Sequence, residues 1–195
     1  MDGSALLEGT RPAIFLDRDG VLTELIASPN GQTRPPWNVS ELHILLEAQD
    51  KVSQLADAKF EIFVVTNQPD VGRGLVPRES VDEINQMLCV HIPDINQVRT
   101  CFHTTGDNCH CRKPKPGMLR ELATEFQLDL ERSWLIGDRW IDIAAGASAG
   151  CLTILIEHPY SWSETSVGPP PDGLRPTCVV ESLSDAVDFV LRSKR

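Results

Sequence analysis

Three short apolar runs in this chain each stop at a group of polar residues, and that punctuation restricts the fold more than any other feature. Ala13–Leu16 leads into Asp17-Arg18-Asp19-Gly20. Glu61–Thr66, carrying Ile62, Phe63, Val64 and Val65, closes on Thr66-Asn67-Gln68. Ser133–Ile136 leads into Gly137-Asp138-Arg139. Runs this short and this β-rich read as buried strands rather than helices. Gln97–Phe102, Cys151–Ile156 and Thr177–Val180 supply further strands. Helical patterns separate them: Gln49–Ala58, Pro77–Val90, Pro116–Phe126, Trp140–Ala149 and Leu183–Leu191. Strands alternating with helices predict an α/β fold built on a mostly parallel sheet. Two stretches rich in Pro and Gly, Ala27–Asn38 and Glu164–Pro176, are expected as loops, the first rimming the site and the second a surface excursion.

A length of 195 residues suits one domain spanning 1–195. No apolar run approaches bilayer length, and the first residues lack the basic and apolar segments of a secretion signal, so a cytoplasmic protein is expected. Formal charge is −10, from 18 basic and 28 acidic residues. Such a field repels nucleic acid and anionic membranes. A small anionic substrate meets the same field and needs a metal ion or local cations to bind.

In a parallel sheet the carboxyl ends of the strands share one edge, where ligands bind. Asp17, Asp19 and Asp138 therefore converge. Carboxylates held close destabilise one another unless a cation lies among them. All-oxygen ligands suit a hard ion, most simply Mg²⁺. Asp142, one helical turn beyond Asp138, could contribute directly or through water. Thr66 and Asn67 add neutral donors, and Lys113 adds a fixed positive charge. Carboxylates, a divalent ion, a lysine and neutral donors together make a phosphoryl-transfer site.

Four pieces, Asp17-Arg18-Asp19-Gly20-Val21, Val65-Thr66-Asn67-Gln68, Lys113 and Gly137-Asp138-Arg139-Trp140-Ile141-Asp142, resemble the haloacid dehalogenase (HAD) superfamily of phosphatases. Asn67-Gln68…Arg73-Gly74 and the run Cys109–Met118 are similar to its subfamily IIIA, the branch of heptose-bisphosphate and histidinol-phosphate phosphatases. The match spans roughly Pro12 to Leu155. The resemblance implies a three-layer, Rossmann-like parallel sheet with helices on both faces. It implies Asp17 as the nucleophile that becomes an aspartyl-phosphate and Asp19 as general acid, then base. Mg²⁺ would be held by the Asp17 carboxylate, the Asp19 backbone carbonyl and Asp138. Thr66, Asn67 and Lys113 would neutralise the transferred group, with Lys113 selected over Lys115 by the family pattern. Arg73, Arg112 and Arg139 are expected to contact the substrate or its phosphate.

Six cysteines in a non-secreted chain of this size do not read as a disulfide framework. Cys89, Cys151 and Cys178 lie among apolar residues and are expected as core thiols. Cys101, His103, Cys109 and Cys111 are different. Residues two apart in an extended chain point the same way, so each pair can chelate one ion and the four can close a tetrahedral Zn²⁺ site. A reduced thiol cluster or an oxidised pair is the competing reading. The branch resemblance reaches all four positions and implies a structural zinc loop over 101–111, with His110 exposed.

The segments between motifs leave no room for a large cap domain, so an open site is expected. The substrate reading is a small phosphorylated metabolite, best a sugar phosphate such as D-glycero-D-manno-heptose 1,7-bisphosphate, handled by a monomer. Two alternatives stand beside it, a histidinol-phosphate phosphatase and an inactive zinc-containing binding module. A nucleic-acid 3′-phosphatase is disfavoured by the charge. The Ala27–Asn38 loop offers Arg34 or Trp37 as a further sugar contact, with packing on the scaffold an equal reading for Trp37.

Overall fold

A computed structural model describes residues 10–27, 33–163 and 167–193. In chain order the elements are β1 (Arg11–Leu16), a two-strand hairpin β2 (Ile26–Ala27) and β3 (Thr33–Arg34), a 3-10 turn (Val39–Glu41), α1 (Ala48–Asp57), β4 (Glu61–Asn67), α2 (Pro69–Gly72) and α3 (Arg78–His91). There follow β5 (Gln97–Cys101), a second 3-10 turn (Thr105–Asp107), α4 (Gly117–Phe126), β6 (Leu128–Gly137), α5 (Trp140–Ala149), β7 (Leu152–Ile156), β8 (Cys178–Val180) and α6 (Leu183–Ser193). Six strands form one parallel sheet in the order β5-β4-β1-β6-β7-β8.

The two-residue period of a strand divides its side chains between two cores. Ile14, Leu16, Ile62 and Val64 face α1, α3 and α6, meeting Val52, Leu55, Leu88 and Val187. Ala13, Phe15, Phe63 and Val65 face α4 and α5, meeting Met118, Leu119, Leu122 and Ala145. Both faces of the central strands are thus covered, which is why their sequence is almost wholly apolar. The result is the expected three-layer, Rossmann-like architecture. Between β1 and α1 the described residues hold only the hairpin and one 3-10 turn, so no large cap stands over the sheet edge.

Two expectations need correcting. β6 starts at Leu128, well before Ser133, because Arg11 and Pro12 already pair with Leu128 and Asp129. The register then shifts between Pro12 and Ile14, and Ser133 Oγ bridges the irregularity, accepting the Ala13 N–H (2.8 Å) and donating to the Asp129 carbonyl (2.5 Å). The Ala27–Asn38 stretch is not all loop. Thr33 and Arg34 pair with Ile26 and Ala27, while 28–32 lie outside the described residues. In the second Pro-rich stretch, Val167 and Leu174 pack on Trp140, Ile141 and Ala144, so that excursion covers the outer face of α5.

Candidate active site

The register fixes what meets at the carboxyl edge. Leu16 pairs with both Val64 and Ile136, so the residues after β1, β4 and β6 emerge side by side. Lys113 arrives from the segment before α4. Its side chain is fully buried, with Nζ 2.9 Å from Asp17 Oδ1, 2.6 Å from Asp142 Oδ1 and donating to the Val65 carbonyl at 2.8 Å. Asp142 sits in the first turn of α5. Its Oδ2 accepts the Arg139 N–H at 3.0 Å, capping the helix while its other oxygen meets the lysine.

Asp17, Asp138 and Asp142 each place a carboxylate oxygen within 4.8 Å of the others. Asp138 is 0% exposed, and neither of its oxygens makes a hydrogen bond of ordinary geometry. The Tyr160 hydroxyl borders it, and Arg139 Nε lies 4.0 Å away. Burial pushes the Asp138 carboxyl well above the usual range, and the Asp17 and Asp142 charges add to the push. Burial lifts Asp17 to about 6, against the pull of Lys113 and with Asp142 and Asp19 pushing it further up. Lys113 is itself disfavoured by burial, yet Asp142 and Asp17 outweigh this and hold it protonated. Three carboxylates beside one buried ammonium, with Arg139 only at 4.0 Å from Asp138, leave a net negative charge and a pair of buried oxygens without a hydrogen bond of ordinary geometry. A divalent, oxygen-seeking cation fits that deficit.

Other expected residues lie as follows. The Asn67 side chain bonds the backbone of Lys113, donating to its carbonyl (3.0 Å) and accepting its N–H (3.1 Å). These bonds steady the lysine and use one of the two Nδ2 hydrogens. Thr66 is buried at the β4 end, and its Oγ1 accepts from Gln68 at 2.9 Å. The Asp19 carboxylate is held by Arg18, Thr23 and Gln68 and is not one of the three mutually close carboxylates. Arg139 lies over the Tyr160 ring (4.7 Å) with Nη2 3.5 Å from Thr33 Oγ1. Arg112 is buried, with Nη1 3.4 Å from the His103 carbonyl. Arg73 pairs with Asp70 at 2.9 Å, whose other oxygen accepts from Trp37 Nε1 at 3.1 Å. Arg34 stacks on Trp37 (4.2 Å) and is forked onto Glu41, whose carboxyl it holds down at about 2. Both residues are therefore committed to the scaffold.

Cys101 ends β5 opposite Asn67, so the thiol cluster adjoins the site. Cys101, His103 Nδ1, Cys109 and Cys111 all lie within 4.8 Å of one another. The sulfur separations are 3.2 Å for Cys101–Cys111, 3.5 Å for Cys109–Cys111 and 3.7 Å for Cys101–Cys109. A tetrahedron with the usual Zn–S bonds has edges of about 3.8 Å, so the donor set fits zinc. His110 points outward, with Nε2 2.6 Å from Glu121. Lys115 is exposed but not merely solvated, since Nζ holds the loop at the Asn108 and Cys109 carbonyls. Cys151 is buried, and Cys89 and Cys178 pack against the first core.

Sequence reasoning passed over Arg18, Gln68, Asn85 and the Glu157–Ser163 turn carrying Tyr160. Applying the strand-edge rule to β7 as well as β6 would have found the last. Ser161 Oγ donates to the Asp138 carbonyl at 2.5 Å, tying that turn to the site.

Comparison with known proteins places this geometry. The HAD-hydrolase-like family model matches residues 110–186. A D-glycero-beta-D-manno-heptose-1,7-bisphosphate 7-phosphatase of Neisseria meningitidis is 32% identical over 143 residues, covering 70% of this chain and 72% of its own. The Pseudomonas putida protein of the same name is 30% identical over 148 residues, covering 74% and 81%. This chain belongs to the HAD-like hydrolases. The solved D,D-heptose 1,7-bisphosphate phosphatase of B. bronchiseptica, complexed with magnesium and phosphate, superposes with a TM-score of 0.75. It is 28% identical and covers 93% of this chain and 99% of its own. Among the described residues no helix is long and apolar enough to cross a membrane.

Proposed function

We propose that this HAD-like hydrolase releases inorganic phosphate from a small phosphorylated sugar, with D-glycero-D-manno-heptose 1,7-bisphosphate as the preferred substrate. The observation that carries the reading is the buried Asp17–Lys113–Asp142 ion triad beside the unsatisfied Asp138 carboxylate. Asp17, at 9% exposure, keeps access to a ligand. Its carboxylate attacks phosphorus, and Lys113 offsets charge on the transferred oxygens while Thr66 donates to them. Asp17 and Asp138, with Asp142 nearby, would hold Mg²⁺, which supplies charge neutralisation between the two anionic reactants. Cys101, His103, Cys109 and Cys111 would hold a structural Zn²⁺ that fixes the loop leading to Arg112 and Lys113. The relatives named for the heptose ester support the substrate, and the net charge keeps nucleic acid and membranes outside the reading. The chain is taken to act as a monomer.

One observation favours the amine-bearing alternative, histidinol phosphate. A cavity of ≈ 380 Å³ beside Gly20 and Thr23 is lined by Glu24, Glu47, Glu181 and His158, a setting for a cation rather than a second phosphate. Phosphate release with Mg²⁺ present, compared as kcat/KM on the heptose bisphosphate, other sugar phosphates and histidinol phosphate, decides the matter. Preference for histidinol phosphate overturns the sugar reading, and release from none of them overturns both.

A further inference from the structure

Arg18 is one of the largest fully buried side chains in the protein, although it carries a charge and lies between the two aspartates at the end of β1. Its guanidinium is committed at both ends. Nη2 and Nε reach Asp19 Oδ2 at 3.0 and 3.2 Å, and Nε is 3.1 Å from Oδ1. Nη1 donates to Asn85 Oδ1 on α3 at 2.8 Å, and Asn85 Nδ2 donates to Thr100 Oγ1 on β5 at 3.1 Å. On the other side Gln68, 2% exposed, donates from Nε2 to Asp19 Oδ2 at 2.7 Å and to Thr66 Oγ1 at 2.9 Å. One polar chain, buried at Gln68, Asp19 and Arg18 and half-buried at Asn85 and Thr100, thus runs from β4 to α3 and β5.

The two oxygens of Asp19 are not equivalent within it. Oδ2 is saturated by Arg18 and Gln68. Oδ1 has Thr23 Oγ1 at 3.0 Å and a share of Arg18 Nε, and the Thr23 hydroxyl has a second acceptor, the Arg18 carbonyl, at 3.3 Å. A hydroxyl donates one hydrogen at a time. Thr23 can therefore turn to the carbonyl whenever Oδ1 carries a proton. Gln68 also occupies Thr66 Oγ1 as an acceptor, leaving the Thr66 hydroxyl hydrogen for a phosphoryl oxygen.

We infer that Arg18 and Gln68 are positioning residues for Asp19: they anchor Oδ2 and leave Oδ1 to exchange the proton of the reaction. As the Asp17–phosphorus bond forms and the ester P–O bond breaks, Oδ1–H passes its proton to the departing alkoxide. The Oδ1 carboxylate oxygen then takes a proton from the water that attacks the aspartyl-phosphate, freeing Asp17 and inorganic phosphate. This inference rests on the phosphatase reading above.

The test compares two esters that transfer the same group but differ in their need for that proton: a sugar phosphate, which leaves as an alkoxide, and p-nitrophenyl phosphate, which leaves as a stable phenolate. kcat/KM, which ends at departure of the alcohol, is measured for Arg18→Lys, Gln68→Met and Asn85→Leu, with Asp19→Asn as reference. Each variant should lose about 10-fold or more on the sugar ester and less than about 3-fold on the aryl ester, within the range general acid catalysis supplies. Combining any of them with Asp19→Asn should add no further loss. Equal losses on both esters, or losses that multiply with Asp19→Asn, overturn the inference. If Arg18→Lys fails to fold, Gln68→Met and Asn85→Leu carry the same test from opposite ends of the chain. Wild-type protein inactive on both esters would instead remove the phosphatase reading.

Discussion

Replacing Asp17, the proposed nucleophile, should stabilise the protein it inactivates. At neutral pH, without magnesium, the folded chain must keep Asp17 ionised among Asp142, Asp138 and Asp19. Its carboxyl is raised from 3.8 to about 6, which corresponds to about 3 kcal/mol against folding once both folded and unfolded forms are ionised. That figure is already net of the pull of Lys113, so Asp17→Asn should gain about 1–3 kcal/mol, the lower end allowing for imperfect fit of the amide. For a chain of this size the melting temperature should rise by roughly 3–10 °C. The sign follows from the direction of the shift. A raised folded value means that protonation favours the folded state, fully below pH 3.8, and that this advantage is lost as pH rises through about 6. The variant's lead should accordingly be near zero at pH 4, grow between pH 4 and 6, and be complete at pH 7.5. Thermal melts across that range in magnesium-free buffer, without a chelator that would strip the proposed zinc, measure it. Adding Mg²⁺ should narrow or reverse the lead because only the wild type binds the ion fully, and phosphate release by the variant should be abolished. A lower melting temperature for Asp17→Asn at pH 7.5 without magnesium would refute the account of the carboxylate cluster.

Lys113→Met leaves Asp17 and Asp142 buried without their cation, and a loss of about 3–5 kcal/mol is expected in denaturant titrations, together with loss of turnover. Cys109→Ser should lower bound zinc from about one ion per chain, read by elemental analysis, and reduce kcat through the slackened approach to Lys113. Gly20 has φ +88°, and a methyl group there would collide with Asp138 Oδ2. Gly20→Ala should therefore cost about 1–3 kcal/mol and raise the Mg²⁺ concentration needed for half-maximal activity.

Much of this site could be read from the sequence because it is built on strand ends. A strand's carboxyl terminus is a local signal, and the parallel sheet brings Asp17, Thr66 and Asp138 together once their strands are recognised. Lys113 lies on no strand and was placed through family resemblance, with its burial invisible beforehand. The bond from Asn67 to the Lys113 backbone could not be read, because the partner is 46 residues away and no local pattern encodes such a bond. Arg18 escaped notice since a charged residue between two aspartates reads as exposed until α3 closes over it. The long β6 was shortened for a related reason: Asp129, Glu131 and Arg132 break the apolar run, and pairing with β1 overrides their weak strand preference.

The clamp between Asn67 and the Lys113 backbone has a consequence for how this fold tolerates change. Cys111 and Lys113 are separated by a single residue, Arg112, with the thiol cluster on one side of it and the Asn67 amide on the other. Insertions that lengthen the loop between His103 and Cys109 can bulge outward with all four cluster residues and the Asn67 clamp kept in place. A single residue added between Cys111 and Lys113 would force one fixture to let go, so evolutionary variation in length should be confined to the first of these two intervals.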